Sequence, residues 1–203
     1  MAKAEFFFRW LHVFFGIVWI GHLYFFNFVN IPFQGKMDDG TKKLVNPHLM
    51  PRALWWFRMG AMVTFLSGLV LFGMIFFYTP ELGWGANMLF RGAEGGLSDR
   101  ARWIMWGMLF GSIMWFNVWF IIWPAQKKLL GGTAGDQAAA LRTRAGNASR
   151  MNTYLSAPML VGMLGANHSG MSFSYGALLI AALLGFVVVK GAYAHSGFVG
   201  QSV

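Results

Sequence analysis

Residues 6–30 read FFFRWLHVFFGIVWIGHLYFFNFVN, and this apolar, aromatic stretch decides the fold class. About 20 such residues in a helix cross the hydrocarbon core of a bilayer, so the stretch predicts a transmembrane helix. Two histidines, His12 and His22, interrupt it. An ionisable side chain at that depth is costly and normally faces the protein interior, which makes both histidines candidate functional residues.

The composition of the whole chain agrees with a membrane protein. Its 203 residues are 57% hydrophobic and 11% charged, whereas soluble domains carry about 25% charged residues. The apolar stretches predict an all-α integral membrane bundle of about five transmembrane helices in one domain, with no evident repeat. The expected spans, separated by polar loops and ended by prolines such as Pro32 and Pro124, are 6–30, 51–78, 101–123, 151–168 and 173–194.

The net charge of +9 is distributed around the apolar spans. This pattern indicates contact with a lipid bilayer and its anionic headgroups, and not nucleic-acid binding. We name the two sides of the membrane A and B. Side A is the side on which the N-terminus lies, and side B is the opposite one. Side B has about twice as many Lys and Arg residues, which predicts a multi-pass protein with side B in the cytoplasm and the N-terminus outside.

The histidines suggest a redox cofactor. The chain has no cysteine, which excludes iron–sulfur ligation and covalently attached haem c. His12 lies about 9 Å in from side A, and the fourth span returns His168 to the same side. Two imidazoles from different helices can ligate one haem iron, so His12 and His168 are the predicted metal ligands of a non-covalent haem b. Arg9 or Arg102 is expected near the haem propionates.

Other polar residues within the spans remain open to two interpretations. His22 lies about 15 Å further toward side B than His12, and Arg58 lies about 10 Å inside the second span. Either residue would bind a cofactor, with Arg58 paired to a propionate; alternatively, His22 forms an interhelical hydrogen bond and Arg58 extends to the side B surface. The fourth span is expected to be buried because it is the most polar, with Asn152, Thr153, Ser156, Asn167 and His168.

Several stretches together resemble the integral membrane domain of the bacterial urate hydroxylase PuuD family, the urate oxidase N-terminal domain. They are RWLHVFFGIVWIGHLYF (Arg9–Phe25), WWFR…TFLSG (Trp55–Gly68), FNVWFIIWPAQKK (Phe116–Lys128) and MNTYLSAPML…ANH (Met151–His168). The resemblance implies a bacterial inner-membrane oxidoreductase that hydroxylates urate and passes electrons to a fused cytochrome c. It also implies motif positions at His12, Asn167 and His168.

This sequence departs from the family pattern at several points. Gly60 stands where the family carries a glutamate, so a proton acceptor is lost. His22 stands where a small residue is usual. We do not expect a cytochrome c domain after the spans, because the sequence has no cysteine to attach a haem c. A separate extracytoplasmic cytochrome c would then be the electron partner.

Three functions are compatible with these features, and none identifies catalytic residues. The first is a haem-b electron-transfer subunit or oxidase component, with urate oxidation implied by the resemblance alone. The second is a non-catalytic accessory subunit of a larger membrane complex, with its histidines in interhelical hydrogen bonds. The third, a transporter or channel, is disfavoured because internal repeats and paired broken helices are not evident.

Overall fold

The computed structural model describes residues 2–85, 89–91, 95–168, 170 and 172–199. Within these residues the chain forms five long helices and a two-stranded hairpin of Tyr78–Thr79 and Gly83–Trp84. The helices are α1 (Ala2–Lys36), α2 (Asp39–Phe76), α3 (Asp99–Leu130), α4 (Ala138–His168) and α5 (Tyr175–Ser196). All except α4 are long and apolar enough to cross a membrane. The predicted all-α membrane bundle is thereby confirmed.

Helices α1 and α3 continue through the prolines that were expected to end them. Each contains one π-helical turn, Phe25–Asn30 in α1 and Asn117–Ile122 in α3. Pro32 and Pro124 follow directly, in the first turn of the next α-helical segment. A proline lacks the N–H group of a regular helix and its ring presses on the preceding turn. The wider π turn accommodates this change, so the helix reaches Lys36 or Leu130 without a loop.

The helices therefore extend beyond the membrane on side B, where polar loops were expected. At 1.5 Å per residue, α1 and α2 are about 50 to 60 Å long, compared with a hydrocarbon core of about 30 Å. Gln34 and Asn46 tie the two extensions together through hydrogen bonds of 2.6 and 3.1 Å. The segment that begins at Ala138, within the polar stretch before the expected fourth span, is the first part of α4.

The bundle is built from two antiparallel hairpins, because α1 packs along α2 and α3 packs along α4, while α5 packs on α4. Glycines permit the close approach within each hairpin. A Cβ at Gly107 would lie 2.9 Å from the backbone nitrogen of Met163, and a Cβ at Gly60 would lie 3.0 Å from that of Trp19. Small residues at these contacts let two membrane helices pack backbone against backbone.

The two hairpins share short sequence signals in the same order, although no repeat was evident from the spans. PFQGK follows the π turn of α1, and PAQKK follows the π turn of α3. TFLSG occurs in α2 and TYLSA occurs in α4. Both π turns also contain an asparagine, Asn27 or Asn117. Because α1 and α3 run in the same direction, the two hairpins correspond to parallel halves and not to inverted ones.

The polar centre of α4 is buried, as predicted, whereas Asn167 and His168 at the end of the helix are exposed, contrary to the prediction. Asn152, Thr153 and Ser156 have 0% exposed surface. The Asn152 amide accepts a hydrogen bond of 2.8 Å from Asn117 and donates one of 2.9 Å to the carbonyl oxygen of Met114. These bonds join α4 to α3. In contrast, α5 exposes aliphatic side chains such as Leu183 and Val188, at 57% and 69%, as expected for a lipid-facing helix.

Candidate functional site between the two hairpins

A cavity of about 590 Å³ lies between the α1–α2 hairpin and the α3–α4 hairpin, in the half of the bundle nearer side A. Its volume is within the range of small-molecule sites, about 300 to 1,000 Å³. Tyr24 lies at its inner end, whereas Arg9, Arg100 and His168 lie at its side A end. Its walls are mostly apolar, and a few polar side chains face it, which is the usual composition of a cofactor or ligand site.

His12 is the histidine on the α1 wall of this cavity. Its Nδ1 lies 2.8 Å from the carbonyl oxygen of Thr64 on α2. A carbonyl oxygen only accepts hydrogen bonds, so Nδ1 donates and carries the ring proton. In the neutral imidazole, Nε2 then retains its lone pair and is able to bind a metal. The hydroxyl oxygen of Ser67 is 3.4 Å from the same Nδ1 and helps to orient the ring.

The TFLSG segment of α2 holds His12 in place. It supplies the Thr64 carbonyl group and the Ser67 hydroxyl group, and Gly68 provides the space for the ring. A Cβ at position 68 would lie 2.9 Å from Cε1 of His12. These three residues were not among the site residues predicted from the sequence. The TFLSG motif was the available signal, although its contact with His12 depends on how α1 and α2 pack.

His168 lines the same cavity from the end of α4, where its side chain is exposed. A hydrogen bond of 2.9 Å joins Tyr24 on α1 to Ser156 on α4, so these two side chains meet at the same depth in the bundle. His12 is twelve residues from Tyr24, and His168 is twelve residues from Ser156, both toward side A. The equal helical rise, about 18 Å, places the two histidines at similar depth.

Two arginines line the side A end of the cavity. Arg9 forms an ion pair with Glu5 one turn earlier on α1. Arg100 donates a hydrogen bond of 2.9 Å to the side chain of Asn167, and its guanidinium lies 5.6 Å from the ring centroid of Phe76. Arg102 is instead paired with Asp99 at 3.6 Å and is not part of the lining. Nothing in the sequence distinguishes Arg100 from Arg102, because which of them faces the cavity depends on how α3 packs.

The structure places the other two predicted site residues outside the cavity lining. The Nδ1 of His22 donates to the carbonyl oxygen of Val18, 2.7 Å away and one turn earlier in the same helix. The guanidinium of Arg58 stacks on Trp123, 3.9 Å from the ring centroid, with Trp119 at 5.3 Å. The cavity therefore brings together His12, His168 and Arg9, but not His22 or Arg58.

The lining of the cavity offers two imidazoles and two guanidinium groups as potential ligand-binding groups. Among the described residues, no group of three or more His, Cys, Asp or Glu side chains comes together to hold an ion. A haem iron needs only one or two axial ligands from the protein. The imidazoles are those of His12 and His168, and the guanidinium groups are those of Arg9 and Arg100, a residue type that pairs well with carboxylates.

A comparison with known protein families identifies the family to which the chain belongs. The family described as "Urate oxidase N-terminal" matches residues 85–201, which is more than half of the sequence. The chain belongs to this family. The match extends over α3, α4 and α5 and therefore includes Asn167 and His168, whereas His12 precedes it. No curated protein and no solved structure matches the chain. The helices and the family together identify a multi-pass membrane protein of the urate oxidase N-terminal family.

Proposed function

We propose that this membrane protein is a redox subunit that holds haem b in the cavity between its two hairpins. The observation that carries the proposal is the geometry of His12. Its Nδ1 proton is committed to the Thr64 carbonyl oxygen, which leaves the Nε2 lone pair for a metal. A backbone carbonyl bonded to the remote ring nitrogen is the usual outer-shell arrangement for a metal-binding histidine, and it raises the basicity of the ligand.

The remaining lining supports the same cofactor. His168 offers a second imidazole at similar depth, and Arg9 and Arg100 provide positive charge for the two propionates. Apolar side chains from α1, α2, α3 and α4 line the rest of the cavity and limit the access of water, which influences the reduction potential of a haem.

When bound, the haem would supply one-electron redox chemistry. The protein's own residues would bind and orient it. Thr64 and Ser67 fix the His12 ring, and Gly68 keeps the space beside that ring free. Arg9 and Arg100 would hold the propionate edge toward side A. This placement suits electron exchange with an extracytoplasmic cytochrome c, if side A faces outward in a bacterial inner membrane.

A reduced-minus-oxidised visible spectrum of the purified protein, after expression with haem supply, tests the proposal. The expected result is a Soret band and a sharp α-band from a low-spin haem. His12→Ala and His168→Ala should each abolish the low-spin signal, whereas the control His48→Ala, outside the cavity lining, should leave it unchanged. A wild-type protein that stays colourless, or a low-spin signal that survives both substitutions, would overturn the assignment.

Urate oxidation would have to proceed without the glutamate that the family resemblance implies at position 60, because the packing of α1 against α2 leaves no room for its side chain. A Cβ at Gly60 would lie 3.0 Å from the Trp19 backbone nitrogen and 3.2 Å from Cγ1 of Val18. The glutamate that the family resemblance implies would therefore force α1 away from α2. A direct urate oxidation assay, with an artificial electron acceptor present, decides whether the family chemistry operates without this carboxylate.

An accessory role is the second candidate, and one observation favours it. The hydrogen bond from His12 to Thr64 also joins α1 to α2, which is the role of a purely structural histidine in a membrane bundle. In that case the protein should be colourless and should co-purify stoichiometrically with other membrane subunits. The substitution His12→Ala would then reduce thermal stability without changing any spectrum.

A further inference from the structure

Arg58 is a cation in the membrane-spanning part of α2 for which the described chain provides no countercharge. The ion pairs in the described residues involve Glu5, Asp39 and Asp99, each with another cation. The sequence has no acidic residue between Asp39 and Glu81 and none between Asp99 and Asp136. Neither α2 beyond its first turn nor the facing part of α3 therefore contains a carboxylate that would neutralise Arg58.

Arg58 packs against two tryptophans, and N–H groups at this contact are left without an acceptor in the described part of the chain. Its guanidinium stacks on Trp123 at 3.9 Å and lies 5.3 Å from the ring centroid of Trp119. The Nε of Arg58 and the Nε1 of Trp119 are both buried and have no hydrogen-bond partner among the described residues. Both groups are donors only. Stacking on an aromatic face attracts a cation but does not satisfy its N–H groups, so the site lacks an acceptor.

The depth of Arg58 indicates where that acceptor comes from. Trp123 is four residues, or about 6 Å of helix, from the exposed Lys127. Trp55 and Trp56, one turn or less before Arg58, are each 47% exposed. Tryptophans of this kind mark the boundary between hydrocarbon and headgroups. Arg58 therefore lies next to the phosphate layer of the side B leaflet.

We propose that Arg58, Trp119 and Trp123 form a binding site for the phosphate group of an anionic phospholipid in the side B leaflet. A stacked guanidinium keeps its in-plane N–H groups for hydrogen bonding and matches a phosphate in a bidentate manner. Lys127 and Lys128, both exposed one turn beyond Trp123, add positive charge that favours an anionic lipid over a zwitterionic one. Because Trp123 holds the guanidinium, the lipid should be retained and not merely exchange with the bulk leaflet.

Native mass spectrometry of the full-length protein, released from nanodiscs of equal phosphatidylglycerol and phosphatidylcholine content, tests the site. Wild type should retain phosphatidylglycerol preferentially. Arg58→Gln should reduce this retention about tenfold, the scale of a charge-assisted hydrogen bond. The matched control is Arg52→Gln on the same helix, because Arg52 is exposed and donates to the carbonyl oxygen of its neighbour His48. This control should retain lipid as wild type does.

Further variants keep the test decisive if Arg58→Gln is unstable. Arg58→Lys retains the charge but loses the planar guanidinium, and it should give intermediate retention. Equal phosphatidylglycerol retention by wild type, Arg58→Lys and Arg58→Gln would overturn the proposal. So would loss of a co-purifying protein from Arg58→Gln without loss of lipid, because the countercharge would then be a partner's carboxylate.

Inorganic phosphate alone should not raise the melting temperature of wild type, and an effect equal to that of the lipid would exclude a lipid site.

Discussion

Gly68 of α2 lies directly against the imidazole of His12 on α1: a Cβ at position 68 would lie 2.9 Å from Cε1 and 3.2 Å from Nδ1 of that ring. The same ring nitrogen bonds to the Thr64 carbonyl oxygen one turn earlier on α2. The same face of α2 thus holds the His12 ring with a hydrogen bond to Thr64 and leaves room for it at Gly68.

Gly68→Ala should therefore displace His12. The added methyl group overpacks the contact, and the expected loss of stability is about 1–3 kcal/mol. If haem is bound, the substitution should also shift or weaken the low-spin α-band. Gly73→Ala is the matched control, because no described atom beyond its own helical turn lies within 4 Å of a Cβ at that position of the same helix. Thermal unfolding in detergent and the visible spectrum are the measurements, and identical behaviour of both variants would contradict the contact.

Gly162→Ala tests the α3–α4 contact. A Cβ at position 162 would collide with the backbone of Gly107 and would lie 2.9 Å from the Trp103 carbonyl oxygen. A backbone does not yield as a flexible side chain does, so the helices must separate, and we expect a substantial fall in melting temperature. Gly146→Ala, in the same helix, places its Cβ more than 4 Å from the described residues outside its own turn, so it should be neutral or stabilising by about 0.5–1 kcal/mol. Equal melting temperatures for the two variants would show that the helices do not pack here.

Asn152→Ala tests the polar connection between α3 and α4. The substitution removes hydrogen bonds to the Asn117 side chain and the Met114 carbonyl oxygen, and it leaves the Asn117 amide without its 2.8 Å acceptor. The cost should be about 1–3 kcal/mol. The exposed Asn147, in the same helix, is the control, since Asn147→Ala should change unfolding by about 0.5 kcal/mol or less. An equal effect of both substitutions would contradict the buried network.

Asp38 gives a pH-dependent prediction outside the membrane. It caps α2, and its carboxylate accepts hydrogen bonds from the hydroxyl and backbone N–H of Thr41, which lower the pKa of Asp38. Because the pKa of Asp38 is lower in the folded state, the ionised cap stabilises the helix at pH values above the unfolded pKa of about 3.9. This contribution is lost as the pH falls through the folded pKa. Thr41→Val should raise the pKa of Asp38 in an NMR titration; an unchanged value would exclude the hydroxyl as the cause.

The sequence predicted the membrane bundle because long apolar runs have few alternatives in a bilayer. It also placed His12 and His168 on one side, since depth follows from helical rise alone. It did not predict the helical extensions, because Pro32 and Pro124 normally indicate helix ends and the π turns that accommodate them have no clear sequence signal. The roles of Thr64 and Gly68 depend on the contact between α1 and α2, which periodicity does not determine.

The orientation of the bundle in the membrane remains a prediction that cysteine labelling checks. Side B carries the helical extensions with most of the Lys and Arg residues, so it should face the cytoplasm. The chain has no native cysteine, so single substitutions give unambiguous signals. We choose Glu81→Cys for side A and Thr133→Cys for side B, since both residues are exposed and lie between helices.

A membrane-impermeant maleimide added to intact cells should label Glu81→Cys but not Thr133→Cys, and permeabilised cells should show both. Nearby Gly132 is a poor position for the label, because its φ of 69° would strain any other residue. Labelling of Thr133→Cys in intact cells would reverse the orientation. The cavity with His12 and His168 would then open toward the cytoplasm, and an extracytoplasmic cytochrome would have no access to a haem held there.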